Sequence, residues 1–463
     1  MFKKEIYIAR RKRLLELLAG QKGIALFIGN VEAPAQYKDN CYKFRQDSTW
    51  LYFWGIDEPR FAATIDLESG KETIYSDDVS IDDIIWMGPQ PSVASRAAEV
   101  GVQNSAPYSK LDLEISAAIV KGRHVHSIPP SRYYNTLKLQ SLGINEPSEA
   151  LIRAIISLRL VKQPEEIEEL DKAGILGQKM HTTARKGIRI GRIEQEIVGE
   201  MEGVTLSQGW GISFATILTQ HGEVFHNHGH AFPVEPGKLM VIDAGAEANS
   251  HYASDFTRTY PTSGRFSQKQ KDIYSTVYEC NELAYSLIRP GTPYRDIHLA
   301  ACRHMLDNLQ QLRLVNKGDL DEMLAAGIAG LFMPHGLGHN MGLDVHDMED
   351  LGEDLVGYDP DQKRSSQLGL RSLRMARRLA AGNVITDEPG IYFIPDLIAL
   401  WKKNGTDKGF VNYALLEKEY LDFGGIRLED DVLVTAEGAR RLGGKRLPIA
   451  PEDVEEAMAE DAR

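Results

Sequence analysis

Two carboxylates stand where charge is costly. Leu239 to Ile242 is an unbroken apolar run leading into Asp243, and Ser254-Asp255-Phe256-Thr257-Arg258-Thr259 reads as the next strand, with Gly245 allowing a turn between them. A carboxylate at the end of a buried strand needs a positive partner. Paired as a hairpin, the two strands would bring both acids to one place. Three further groups invite the same reading: His335, His339 and His346 within His335–Asp347, Glu388 ahead of Pro389-Gly390, and Glu429 after Ile426-Arg427-Leu428. Singly, each has an ordinary explanation as a rim charge, a satisfied imidazole or a turn cap. Together, four carboxylates that converge cannot all stay ionised without cations. Two divalent ions would neutralise them. A carboxylate-rich set with one imidazole suits Mn2+ and tolerates Co2+ or Zn2+.

The elements that must position these groups are legible in outline. An amphipathic helix is expected up to Gly20, then strands at 24–28, 50–54 and 62–66, and helices near 111–120 and 148–160. This mixture implies an α/β domain over residues 1–160. Pro164 suits the first turn of a new helix, and the acids at 165–169 complement its positive end. A second domain, 161–463, then runs through strands near 214–218, 225–230, 239–243 and 255–259, a helix at 268–287, and strands near 384–388 and 424–432.

The composition excludes several classes. With 463 residues and a formal net charge of −13, the chain suits neither nucleic acid nor an anionic membrane as partner. The basic start is followed by a short run broken by Glu16, so a helix is expected there rather than a signal peptide, and no stretch has the length of a membrane span. Cys41, Cys280 and Cys302 have neither disulfide nor zinc spacing and are expected to be buried thiols in a reducing, cytoplasmic setting.

The segments IDAGAE, SDFTRT, HGLGHNMGLDVHD, DEPGIYF and GGIRLEDD occur in an order that resembles the proline-specific pita-bread metallopeptidases, the prolidases (Xaa-Pro dipeptidases) and aminopeptidase P. Phe44 to Ser48 and Tyr52 to Gly55 resemble the first domain of that branch. The resemblance implies an α+β pita-bread catalytic domain behind a smaller α/β creatinase-type domain, a peptide substrate with proline in second position, and a homodimer. It implies that Asp243 holds one metal, that His339 and Glu388 hold the other, and that Asp255 and Glu429 bridge both. A hydroxide between ions about 3.5–4 Å apart would be the nucleophile. Glu388 would carry the proton to the leaving nitrogen. His226, His335 and His346 would have supporting or substrate-contacting roles.

Arg427 lies two residues before Glu429, on what reads as one strand face, and could hold a ligand carboxylate in place. His226, His228 and His230 alternate along an apparent strand, which would allow a separate metal site, but no carboxylate or thiol accompanies them at ligand spacing. A dipeptidase must grip a free carboxylate, and Arg374 matches the position of the carboxylate-binding arginine of prolidases. The HNHGH segment departs from the usual prolidase text. The dipeptidase reading leads, and aminopeptidase P is the alternative. A metal-free binding module would lack several of the five ligand positions, and a creatine-type amidinohydrolase would not need them.

Overall fold

The computed structural model describes residues 2–463. The chain divides into two compact units, Met1–Arg159 with Met348–Gly352, and Leu160–Asp347 with Glu353–Arg463.

The first unit is built on a five-stranded sheet in the order Asn104–Ala106, Glu72–Tyr75, Ala62–Asp66, Ile24–Ile28, Val125–His126. The three inner strands pair antiparallel, and both outer strands pair parallel. Leu26, Ala62, Tyr75, Leu111 and Ile115 form part of its core. The aromatic run Trp50–Trp54 is not the expected strand but the body of a helix, Ser48–Trp54. Asp47 caps it by accepting from Trp50 N–H, and Gly55 ends it at φ 64°. Helix geometry also answers why Arg10 and Arg11 are buried. They donate to the terminal carbonyls of Tyr52 and Phe53, and Arg10 stacks 3.9 Å from the Tyr52 ring. Cys41 is half-buried rather than buried, on a loop where its thiol donates to Lys38 O.

In the second unit, Leu239–Ala244 lies between Ile217–Thr219 and Phe256–Pro261, antiparallel to both. A second sheet pairs Val384–Asp387 with Asp430–Val434, and that strand with Ala439–Arg441. Gly390–Tyr392 pairs with Gly425–Arg427. The helices Pro164–Gly187, Gln268–Leu287 and Tyr294–Gln311 carry Met180, Ile273, Val277, Ile297 and Met305 into one core with Met240 and Ile242 of the strands. Asp255 does not sit on the strand but immediately before it, and residues 245–255 form a longer connection than a tight turn. Gly245 is needed for a different reason: a Cβ there would stand 1.7 Å from Ser254 O. The segment 225–230 is irregular, so His226, His228 and His230 do not share a strand face. Among the described residues, no helix is long and apolar enough to cross a membrane.

Candidate metal centre

Register brings the acids together. Asp243 stands opposite Thr257 on one neighbour and Ile217 on the other. Thr257 in turn bridges to Glu429. Cross-strand partners share a face, so Asp243, Thr257 and Glu429 line one row. Asn340 bridges to Ile385, and His339 is clamped against the same strand: Thr386 N–H donates to His339 O, and His339 N–H donates to Thr386 Oγ1, both at 3.0 Å. That strand ends one residue before Glu388.

The result is a cavity of about 540 Å³ lined by the five expected metal ligands, Asp243, Asp255, His339, Glu388 and Glu429, with His226, His335, His346, Arg374 and Arg427. Asp255, His339 and Glu429 each turn one ligand atom to a common point, all within 4.8 Å of one another. His339 Nε2 lies 3.4 Å from Asp255 Oδ2 and 3.8 Å from Glu388 Oε1. Asp255 Oδ1 is buried without a hydrogen-bond partner. Burial and the neighbouring Asp243, Asp431 and Glu388 raise the Asp255 carboxyl well above the carboxylate range. Burial, Asp255 and Glu388 do the same to Glu429, and burial raises Glu388. Crowded acids, an oriented imidazole and an orphaned buried oxygen together fit divalent cations as the missing counter-charge.

The surrounding hydrogen bonds are directional. Arg427 donates from Nη2 to Asp243 Oδ2 at 2.5 Å, from Nη1 to Tyr392 Oη at 2.9 Å and from Nε to Thr257 Oγ1 at 3.2 Å. Thr257 Oγ1 donates to Glu429 Oε2 at 2.6 Å. His335 Nδ1 donates to Gly336 O at 2.7 Å, so its Nε2 accepts from Tyr392 Oη at 2.8 Å. Burial, aided by Arg427, lowers this imidazole to about 3 and keeps it neutral. His335 thus holds Tyr392 with both nitrogens committed. The His346 ring stacks on His339, centroids 3.8 Å apart and planes 13° apart. Asp431 Oδ2 accepts from Asp255 N–H at 3.0 Å.

Arg374 reaches the cavity from an irregular segment and donates to Glu353 Oε2 at 3.2 Å. The His226 and His228 rings lie 6.2 Å apart on the cavity wall, but His228 Nδ1 faces Thr216 O and His230 Nδ1 faces Leu218 O. No metal-ligating cluster includes these three histidines among the described residues. Thr257, Tyr392 and Asp431 were missed in the sequence. A threonine or tyrosine in an apolar strand looks like packing, and only the spacing Arg427-x-Glu429 hinted at the row they join.

Comparison with known proteins agrees with this architecture. Residues 168–436 match the model of metallopeptidase family M24, and residues 7–126 match that of the aminopeptidase P N-terminal domain. The chain is 30% identical to the Xaa-Pro dipeptidase of Homo sapiens, covering 98% of this chain and 93% of that one. It is 31% identical to a probable Xaa-Pro aminopeptidase of Coccidioides posadasii, over 91% of this chain and 86% of that one. A solved variant of Escherichia coli aminopeptidase P superposes with a TM-score of 0.81 at 27% identity, covering 100% of this chain and 99% of that one. The fold is therefore aminopeptidase P-like, a catalytic domain preceded by a smaller mixed domain, and the chain belongs to metallopeptidase family M24.

Proposed function

We propose that the chain is a dinuclear-metal exopeptidase that hydrolyses Xaa-Pro bonds, with Xaa-Pro dipeptides as its preferred substrates. The observation that carries this reading is the convergence of Asp255, His339 and Glu429 on one buried point in a cavity that also holds Asp243 and Glu388. Asp243 would hold one ion, His339 and Glu388 the second, and Asp255 and Glu429 both, with Mn2+ suited to this donor set and Co2+ or Zn2+ tolerated. When bound, such ions supply a water acidified to near neutrality and polarise the scissile carbonyl. The chain's own residues do the rest. Glu388 moves the proton to the leaving nitrogen. Arg427 fixes Asp243, Tyr392 and His335 hold Arg427 from behind, and His226 and His346 face the substrate. An Xaa-Pro bond has no N–H to grip, so a site that acts on the carbonyl suits it.

Arg374 on the cavity wall supports the dipeptidase reading, as the grip for a free proline carboxylate. The second reading, an aminopeptidase acting on longer peptides, is favoured by Glu353. It pairs with both Arg374 and Arg364 and gives the guanidinium a resident carboxylate. Assays of Gly-Pro and Gly-Pro-Xaa with Mn2+ and with chelator separate the two. A dinuclear dipeptidase should turn over Gly-Pro and lose that activity to chelator. Cleavage of the tripeptide alone would move the assignment to aminopeptidase, and absence of both metal and turnover would favour a binding module.

The same reading assigns residues 1–160 to the accessory domain, 161–463 to catalysis, and the protein to the cytoplasm. Three free cysteines support a reducing compartment. A homodimer through the first domain is supported by the helix Ile81–Met87, which buries none of its residues and leaves Trp86 87% exposed.

A further inference from the structure

Lys162 Nζ lies 2.9 Å from Asp347 Oδ2, and each side chain is only 1% exposed. Neither residue lines the metal cavity. An ion pair this deep adds little net stability, because desolvating two charges offsets their attraction and an apolar pair would hold the fold as well. Its value lies in what it fixes. Asp347 N–H donates to Asn340 O at 3.0 Å, and Asp347 Oδ1 accepts from Asp344 N–H at 3.3 Å, so Asp347 closes the loop 340–347 on itself. Its carboxylate packs on Gly342, where a Cβ would stand 2.4 Å from Oδ2. Lys162 is anchored in turn, its N–H donating to Gly382 O at 2.8 Å.

The Asn340 carbonyl has a second donor, His339 Nδ1 at 3.1 Å. A carbonyl only accepts, so Nδ1 carries the proton and Nε2 presents its lone pair toward Asp255. One carbonyl therefore receives the Asp347 backbone and the His339 ring together. The geometry points to Lys162 and Asp347 as a positioning pair for the metal centre. The ammonium sets the Asp347 carboxylate, that residue sets the loop, and the loop sets the carbonyl that fixes the tautomer and direction of His339. His346, adjacent to Asp347 in the chain and stacked on His339, is placed by the same loop. The inference rests on the reading of His339 as a metal ligand. Partners of a ligating imidazole govern metal affinity, and here the partner is itself held by a buried charge pair.

The test is calorimetric titration of Mn2+ into the full-length protein stripped of metal, with thermal unfolding of the same metal-free samples. The double variant K162M/D347L removes both charges of the pair together while keeping apolar bulk. It is expected to unfold near the wild-type temperature and to bind Mn2+ at least about tenfold more weakly. D347N, which keeps the shape and an oxygen for Lys162, is the second variant should the first not fold, and it should weaken Mn2+ binding in the same direction. H339A is the control. If H339A weakens Mn2+ binding and folded variants of the pair do not, the positioning role is overturned while the metal centre stands. If H339A leaves Mn2+ binding unchanged, the reading of the centre falls, and the role of the pair with it.

Discussion

Arg427 donates to Asp243 across 2.5 Å, and the two side chains come from strands far apart in sequence, Gly425–Arg427 and Leu239–Ala244. Asp243 is thereby aimed into the cavity by a guanidinium that also holds Tyr392 and Thr257. Lysine lacks the planar fork needed for three partners. Arg427→Lys should therefore lower kcat/KM by between about ten- and a hundredfold, the range for losing a group that orients a metal ligand. Tyr392→Phe should give a smaller loss in the same direction. Steady-state kinetics on one Xaa-Pro dipeptide check both, and unchanged rates for Arg427→Lys would remove Arg427 from the account.

Asp255 bears opposite consequences for function and stability. Its carboxyl is raised by burial and by Asp243, Asp431 and Glu388. Asp255→Asn should abolish turnover, yet stabilise the metal-free protein, because the amide carries no charge for burial and the neighbouring acids to oppose. Urea unfolding of the stripped wild type and variant measures this. A variant less stable than wild type without metal would mean that the acids do not repel one another.

Arg374 is the test of substrate length. Removing a charge-assisted grip on a free carboxylate costs about 1.5–3 kcal/mol, so Arg374→Ala should raise KM for Gly-Pro by about ten- to a hundredfold and leave kcat nearly unchanged. Unaltered dipeptide kinetics would end the dipeptidase argument.

His298 gives a pH prediction outside the metal site. It is fully buried beside Cys302, and desolvation lowers it to about 4. A depressed folded-state value means that its contribution is complete above the unfolded value near 6.5 and is lost as pH falls toward 4. Between pH 7.5 and pH 5 the wild type should lose about 2 kcal/mol that His298→Leu does not. Parallel urea titrations at the two pH values check it. Equal losses would show that His298 takes up its proton in the folded state.

What the sequence conveyed followed from charge set against apolar runs. Asp243 after Leu239–Ile242 and Glu429 after Ile426-Arg427-Leu428 stood out because charge at a buried strand is rare, and they line one cavity. The run 50–54, four aromatics and Leu51, misled because continuous burial looks alike in a strand and in a short buried helix. Asp47 and Gly55, its caps, carried the signal that decides. Residues 225–230 place a histidine at every second position, as one face of a strand would, yet they turn through Asn227, whose side chain bonds Gly229 N–H and Thr219 Oγ1. Lys162 marked only a domain boundary in the sequence. Its partner Asp347 is remote in the chain, and no local pattern joins them.

The most direct test is a count of bound Mn2+ per chain at saturation, made on wild type and on Asp255→Asn with Gly-Pro turnover followed on the same samples. The account predicts two ions per wild-type chain, activity lost on stripping and restored by Mn2+, and a lower count with no activity in the variant. Saturation at no ions, or the same count in the variant as in wild type, would contradict it.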